Sequence, residues 1–362
     1  MKRWIALSLV LCALLTGMIT GVIRSFVTEF SASAAGNSLS SSQSSTTPTQ
    51  TDPSEASTAP EVSVPEPTEP EETQAEETKP TDPPEEPPEE PPEEEQKPPE
   101  YVLTARHAFV YDCTNETYLF TKGDQEQPIP MASVTKLFTA YVAMQYTTED
   151  AVICVGPELE LLDPDSSLAG FKQGQQITAA DCLLGMLLPS GNDAAYIMAT
   201  FVGRLLLEDP EATVEDALTA FMAEVNRQAE ALELHNSHFV TPDGIDAEGH
   251  HASPADLLQI ARIVLDHPVL SRCVSTPKAT VTLISGETLT WTNTNKLIRS
   301  DTVYYIPGTI GLKTGTTDDA GCCLLSAVRQ ADRLLIIGVF GTPYNHSRFD
   351  DTVYLYRLVN MP

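Results

Sequence analysis

The sequence predicts an α/β domain of the α+β kind over residues 101–362, with strands at both ends and helices between them. Three observations carry this. Strand-length apolar runs stand near residue 107 and again after Lys278. Apolar residues at helical spacing fill most of the stretch between. A span of 262 residues (101–362) suits one large domain or two lobes. The simplest arrangement is one antiparallel sheet assembled from both ends, with the helices as a second lobe. A cleft between the lobes is then the candidate site.

Taken in order, "HAFVYDC" and "YLFTKG" flank "TNET" and read as a β-hairpin. From Ser133 to about Val264 the pattern is mostly helical. "TAADCLLGMLLPS", "ATVEDALTAFMAEVNRQAEAL" and "ADLLQIARIVL" place apolar residues three and four apart. After Lys278 come the strand-like "ATVTLI", "TLTWTNT", "GTIGLKTG", "CCLLSAVRQ" and "RLLIIGVFG", the last two joined by a turn at "RQADR". "SRFDDTVYLYRLV" closes the chain as a helix.

The first hundred residues are of another kind. Residues 4–23 carry no charge and follow Lys2 and Arg3. About 20 apolar residues span a bilayer as a helix, and the preceding cations favour an exported remainder. An uncleaved membrane anchor is expected over residues 1–30. The alternative is a signal peptide cut near Ala34, after Ala32-Ser33-Ala34, which would leave a secreted domain. Residues 31–100 turn from Ser, Thr and Ala to "PPEEPPEEPPEEEQKPPE". Between 51 and 100 the net charge is −16. Such a segment buries too little apolar surface to fold, so a disordered linker is expected, stretched by proline and like charge. It would hold the domain away from a membrane.

The formal net charge of −30 argues against a nucleic-acid partner. The seven cysteines match no small disulfide framework, and no CxxC or HExxH pattern suggests a metal. Neither metal nor cofactor is expected, and the cysteines of the folded part (Cys113, Cys154, Cys182, Cys273, Cys322 and Cys323) read as free.

Three short motifs carry chemistry. In "MASVTKLFTA", Ser133 and Lys136 stand three apart and share one face of a helix. A serine hydroxyl needs a base, and a lysine serves when burial or a nearby positive charge lowers its pKa. Alone the pattern is common. "STPK", Ser275 to Lys278, repeats it, but proline precedes that lysine and a strand follows, so it is a decoy. In "PSGNDAA", Ser190 and Asn192 sit on a loop between helices, where they can relay a proton and bind an amide, or simply cap a helix. In "GLKTGTT", Gly311 and Gly315 flank Lys313 and Thr314 on a strand where another backbone can approach closely. A substrate peptide could pair along that edge, with Lys313 facing its carboxylate.

Together and in this order, the three motifs resemble the signature of penicillin-binding proteins and class A β-lactamases. The chain is similar to the low-molecular-mass serine D-alanyl-D-alanine carboxypeptidases across 101–362. "PMASVTKLFTAYVA", "LLPSGNDAAYIMA", "HFVTPDGIDAEGHHASPADL", "TNTNKLI" and "GTIGLKTGTTDDAGCCLLSA" carry the likeness. The resemblance implies a β-lactamase/D,D-peptidase-like fold and a catalytic domain at 101–362. It implies that Ser133 attacks the bond between two D-alanines of a peptidoglycan stem peptide and becomes an acyl-enzyme. Lys136 takes the proton, Ser190 helps protonate the leaving D-alanine, and Asn192 holds the acyl-side amide. Lys313, Thr314 and Gly315 line the carboxylate side. The oxyanion meets the backbone N–H groups of Ser133 and Thr316. Arg348 aligns with an arginine near the substrate carboxylate, a surface ion pair being its alternative. β-Lactams would act as inhibitors.

Many members carry a β-rich domain and a membrane-binding tail after the catalytic part. With 47 residues (316–362) following Gly315, this sequence is expected to anchor at its N-terminus instead, outside the cytoplasm. A β-lactamase would need a second base in an E-x-x-L-N loop, and "ELHNS" lacks that spacing. A non-catalytic module that binds penicillin or cell wall is the other rival.

Overall fold

The computed structural model describes residues 101–360. The expected anchor at 4–23 and linker at 31–100 lie outside them. Strands from both ends of the described chain share one antiparallel sheet, ordered β2-β1-β9-β8-β7. The hairpin of β1 (His107–Asp112) and β2 (Thr117–Lys122) precedes the helices. β7 (Thr309–Thr317), β8 (Gly321–Gln330) and β9 (Arg333–Thr342) follow them. The chain returns so that β1 pairs with β9, Val110 opposite Ile337. β7 is left at the edge.

Both faces of this sheet are covered, which the period-two geometry of strands requires of such apolar runs. Ala108, Val110, Leu335, Ile337 and Val339 pack against Leu355 of the closing helix, Ser347–Asn360. Phe109, Tyr111, Ile336 and Phe340 face the other way, into the main core of the helical lobe. That lobe contains α1 (Lys136–Ala143), α2 (Ala179–Leu187), α3 (Asn192–Leu206), α4 (Val214–Ala231), α5 (Pro254–Asp266) and α6 (Pro268–Val274). The closing helix is α7. Local chemistry sets the starts: the Thr178 hydroxyl accepts from Asp181 N while the Asp181 carboxylate accepts from Thr178 N. The Ser253 hydroxyl accepts from Asp256 N ahead of Pro254.

Three expectations change. The segments "ATVTLI" and "TLTWTNT" are strands, β5 (Lys278–Thr282) and β6 (Thr288–Thr292), but they form a hairpin of their own outside the main sheet. Their threonines at 280, 282, 288 and 290 lie exposed, and the pattern allows only one covered face. The middle is also less helical than expected: β3 (Val152–Cys154) pairs with β4 (Gln176–Thr178). Finally, Ser133 lies on a 3-10 turn, Ala132–Thr135, and Lys136 is the first residue of α1. In a 3-10 turn residues three apart eclipse one another, so the Ser133 and Lys136 side chains leave the turn on the same side, and Nζ reaches Oγ. The six described cysteines are free, four of them buried.

Candidate active site

The nucleophile turn, the loop before α3 and the edge strand β7 meet in a cleft of about 390 Å³. Ser133, Ser190, Thr314, Gly315, Thr316 and Arg348 are among the residues lining it. The decoy is elsewhere: Ser275 follows α6, and Lys278 opens β5, exposed.

Lys136 is completely buried, and its Nζ donates to three oxygens: Ser133 Oγ at 2.7 Å, Asn192 Oδ1 at 2.7 Å and the carbonyl of Asp243 at 2.8 Å. Burial pulls its pKa down to about 8, against the opposing charges of Asp243 and Asp193. Of the two causes the sequence left open, burial and a nearby positive charge, burial acts at Lys136. Both act at Lys313, whose pKa is pulled well below the usual lysine value by burial first and then by Lys136 and Arg348. Lys313 is also fully buried, and its Nζ donates to the carbonyl of Thr314 at 2.9 Å.

Asn192 does not cap α3. The cap position is Gly191, with no side-chain cap bond. The amide is free to accept from Lys136 through Oδ1 and to donate to Ser166 Oγ at 3.2 Å. Ser190 is held at φ +71°, in the left-handed region that non-glycine residues rarely occupy. Such conformations gather at functional sites. It lines the cleft, but among the described residues no hydrogen bond joins its hydroxyl to Ser133, Lys136 or Lys313. Lys136 is therefore the direct partner of Ser133.

Gly315 explains how β7 and the nucleophile come together. A Cβ at that position would lie 2.8 Å from Met131 O and 3.0 Å from Ser133 N. The close backbone approach is made by the nucleophile turn itself. Thr314 Oγ1 donates to Thr294 Oγ1 at 2.7 Å, tying β7 to the "TNTNKLI" segment. Arg348 is only 4% exposed and is no surface ion pair. Its Nη1 donates to Gly315 O at 2.6 Å and Cys323 O at 3.0 Å, and its Nη2 to Thr316 Oγ1 at 2.8 Å. The guanidinium thus fixes the backbone and hydroxyl at the end of the cleft where a carboxylate was expected.

Four further residues shape the site. The Asp193 carboxylate accepts from the N–H groups of Ala169, Gly170 and Phe171 and pins that loop beside the cleft. Asn295 donates to Gly311 O at 3.0 Å, and Asn293 to Val274 O at 3.2 Å. His250 sits behind the nucleophile turn, 2.9 Å from Thr135 Oγ1. Asp193 lay within a quoted motif and the others within segments of the resemblance. Only their sequence distance from their partners concealed them.

An α+β fold in which a buried lysine holds a serine at the cleft beside a sheet edge is the arrangement of the penicillin-binding class of serine acyl-transfer enzymes. The family model for D-alanyl-D-alanine carboxypeptidase matches residues 93–343, and the chain belongs to that family. It is 26% identical to the D-alanyl-D-alanine carboxypeptidase DacF of Bacillus subtilis over 246 residues, covering 67% of this chain and 58% of DacF. It is 30% identical to the D-alanyl-D-alanine carboxypeptidase of Streptomyces sp. strain K15 over 229 residues, covering 61% of this chain and 75% of that protein. The solved Streptomyces K15 DD-transpeptidase superposes with a TM-score of 0.64 at 27% identity, covering 72% of this chain and 98% of that one. Penicillin-binding protein D2 of Listeria monocytogenes, in its ampicillin-bound form, gives 0.58 at 28% identity, over 72% and 99%. The chain spans 58% and 59% of the length of DacF and of the Escherichia coli DacD.

Proposed function

We propose that this protein is a serine-type D-alanyl-D-alanine carboxypeptidase that removes the terminal D-alanine of peptidoglycan stem pentapeptides. One observation carries the reading: the fully buried Lys136 amine, 2.7 Å from Ser133 Oγ, has two other partners that can only accept. A neutral lysine keeps two N–H bonds and one lone pair. Asn192 Oδ1 and Asp243 O take the two N–H bonds. The lone pair is left for the one partner that can give up a proton, the Ser133 hydroxyl.

Ser133 Oγ then attacks the carbonyl carbon of the D-Ala-D-Ala bond as its proton passes to Lys136. The oxyanion is met by the N–H groups of Ser133 and Thr316, whose backbones adjoin through Gly315. The C–N bond breaks, and the D-alanine amine leaves with a proton delivered through Lys136 and Ser190. Water then releases the acyl group and restores the serine. The substrate runs along the open edge of β7. Its terminal carboxylate faces Thr314, Thr316 and Arg348, while buried Lys313 holds the Thr314 carbonyl. β-Lactams enter by the same attack.

The domain would work outside the cytoplasmic membrane, on peptidoglycan, held by residues 4–23 through the acidic, proline-rich stretch that follows. What supports this is the sequence of those residues and the substrate class of the family. Among the described residues, no helix is long and apolar enough to cross a membrane.

The test is release of D-alanine from a D-Ala-D-Ala peptide by the purified protein, with fluorescent penicillin as a label. Release and a label lost in Ser133→Ala are expected. A folded protein that takes the label but releases no D-alanine refutes the carboxypeptidase reading, and labelling that survives Ser133→Ala refutes the assignment of the nucleophile. Recovery of mature protein beginning at Ala35 would refute the anchor.

A further inference from the structure

We propose that His250 is a positioning residue for acylation: its imidazole ties the loop that holds the Lys136 amine to the strained turn that presents Ser133. The proposal rests on the peptidase reading above.

The loop is 240–245. Its carbonyls support α1 from outside: Pro242 O accepts from Thr139 Oγ1 at 2.7 Å, and Asp243 O accepts from Lys136 Nζ at 2.8 Å. Gly244, at φ +87°, packs against the nucleophile turn so closely that a Cβ would lie 2.1 Å from Ala132 O. His250 secures the start of this loop. Its Nδ1 accepts from Val240 N at 2.9 Å and Thr241 N at 3.3 Å. Two backbone donors on Nδ1 leave no place for a proton there, so the neutral ring carries its proton on Nε2.

That Nε2 lies 2.9 Å from Thr135 Oγ1, and the same hydroxyl donates to Ala132 O at 2.8 Å. The directions agree along the chain: His250 donates, Thr135 accepts and donates onward, and Ala132 accepts. Ala132 immediately precedes Ser133 and sits at φ +51°. A non-glycine residue stays in that region only when its surroundings hold it. Thr135 in turn immediately precedes Lys136. One imidazole therefore connects the carbonyl that takes a lysine N–H with both ends of the serine-to-lysine turn.

The ring is 7% exposed, so water competes little for these bonds. Burial and the neighbouring His251 bring its pKa down to about 4, against the opposing charge of Asp246, and His238 adds to the fall. The neutral form thus persists at working pH. A proton on Nδ1 would set a third N–H against those of Val240 and Thr241.

The experiment compares wild type, His250→Ala, His250→Gln and Thr135→Val in the full-length protein. It reads kcat and KM for D-alanine release, the acylation rate constant with fluorescent penicillin, and thermal melting. His250→Ala should lower kcat and the acylation rate constant about 10- to 100-fold, as a small misplacement of reacting groups does, with KM within about twofold. Glutamine accepts at one amide atom and donates at the other, so His250→Gln should recover most of the loss. Thr135→Val cuts the same chain one link on and should match the alanine variant. Should His250→Ala fail to fold, Thr135→Val against His250→Gln decides the matter in the same way. Variants with wild-type rates, a rise in KM alone, or no recovery with glutamine overturn the proposal. An inactive wild type overturns the peptidase reading and this one with it, whereas an active wild type with unaffected variants overturns this one alone.

Discussion

Replacing Asp193 by asparagine should weaken the fold and the chemistry together. Asp193 is 1% exposed, and its two oxygens divide four backbone donors. Oδ1 accepts from Ala169 N at 2.8 Å and Ala194 N at 2.9 Å, and Oδ2 from Gly170 N at 2.8 Å and Phe171 N at 3.1 Å. In Asp193→Asn one oxygen becomes an NH2 group that faces two N–H donors. Hydrogen bonds to a charged group contribute about 1.5–3 kcal/mol each, and shared geometry makes two on one atom worth less than twice that. A loss of about 3–4 kcal/mol follows. A domain of this size loses about 2–4 °C per kcal/mol, so melting should fall by roughly 10 °C. The same loop holds Asn192, through Ser166 Oγ on its amide and Ser167 O on its backbone N–H at 2.7 Å. Loosening the loop loosens an acceptor of Lys136 and slows acylation. The lost charge acts separately: Asp193 helps to hold the Lys136 pKa up, so the pH dependence of acylation should shift to the acid side. The assays are a thermal melt and penicillin acylation from pH 6 to 10. A melting point within about 2 °C of wild type together with an unmoved pH profile would falsify this account of the carboxylate.

In the wild type, acylation needs neutral Lys136, which burial has brought to about 8. The rate should climb through that pH to a plateau, with about one tenth of the molecules competent at pH 7, and a flat profile from pH 5.5 to 9 would exclude Lys136 as the base. Gly315→Ala should cut acylation about 100-fold while the protein still folds, because the new methyl group pushes the nucleophile turn off β7. Labelling at wild-type speed would show that the close approach is not needed. His250 is neutral in the fold down to about pH 4 but gains a proton near 6.5 when unfolded. Its stabilising contribution is therefore complete above 6.5 and lost as pH falls toward 4, by about 3 kcal/mol. Denaturant melts should show a steeper acid loss in wild type than in His250→Gln, and equal slopes would contradict the assignment.

The three motifs were legible because each packs rare chemistry into a few adjacent residues. Their assembly was legible only in outline. Strand patterns told that β1 and β9 exist, but the pairing of Val110 with Ile337 is a tertiary fact. The hairpin of β5 and β6 read as part of the sheet because one-sided threonine alternation looks the same in either place. Arg348 was ambiguous for a related reason, since a helix-opening arginine gives no sign of whether it points to water or, as here, to the carbonyls of β7 and β8. Asp193 and His250 escaped notice because a buried polar residue is recognised by its partners, and the fold alone brings the 169–171 backbone to Asp193 and Thr135 to His250. The lowered lysine pKa was foreseen with burial or a nearby positive charge as its cause, and at Lys136 the cause is burial.

The close approach at Gly315 also bears on time. The turn carrying Ser133 is made early in the chain, yet the strand that completes it arrives near the end, after every helix of the lobe. Contacts of such long range close late and slowly. During synthesis the serine would stay inert until the last third of the domain had docked. Penicillin labelling would then serve as a clock for maturation, reporting the arrival of the final strands rather than the mere presence of the polypeptide.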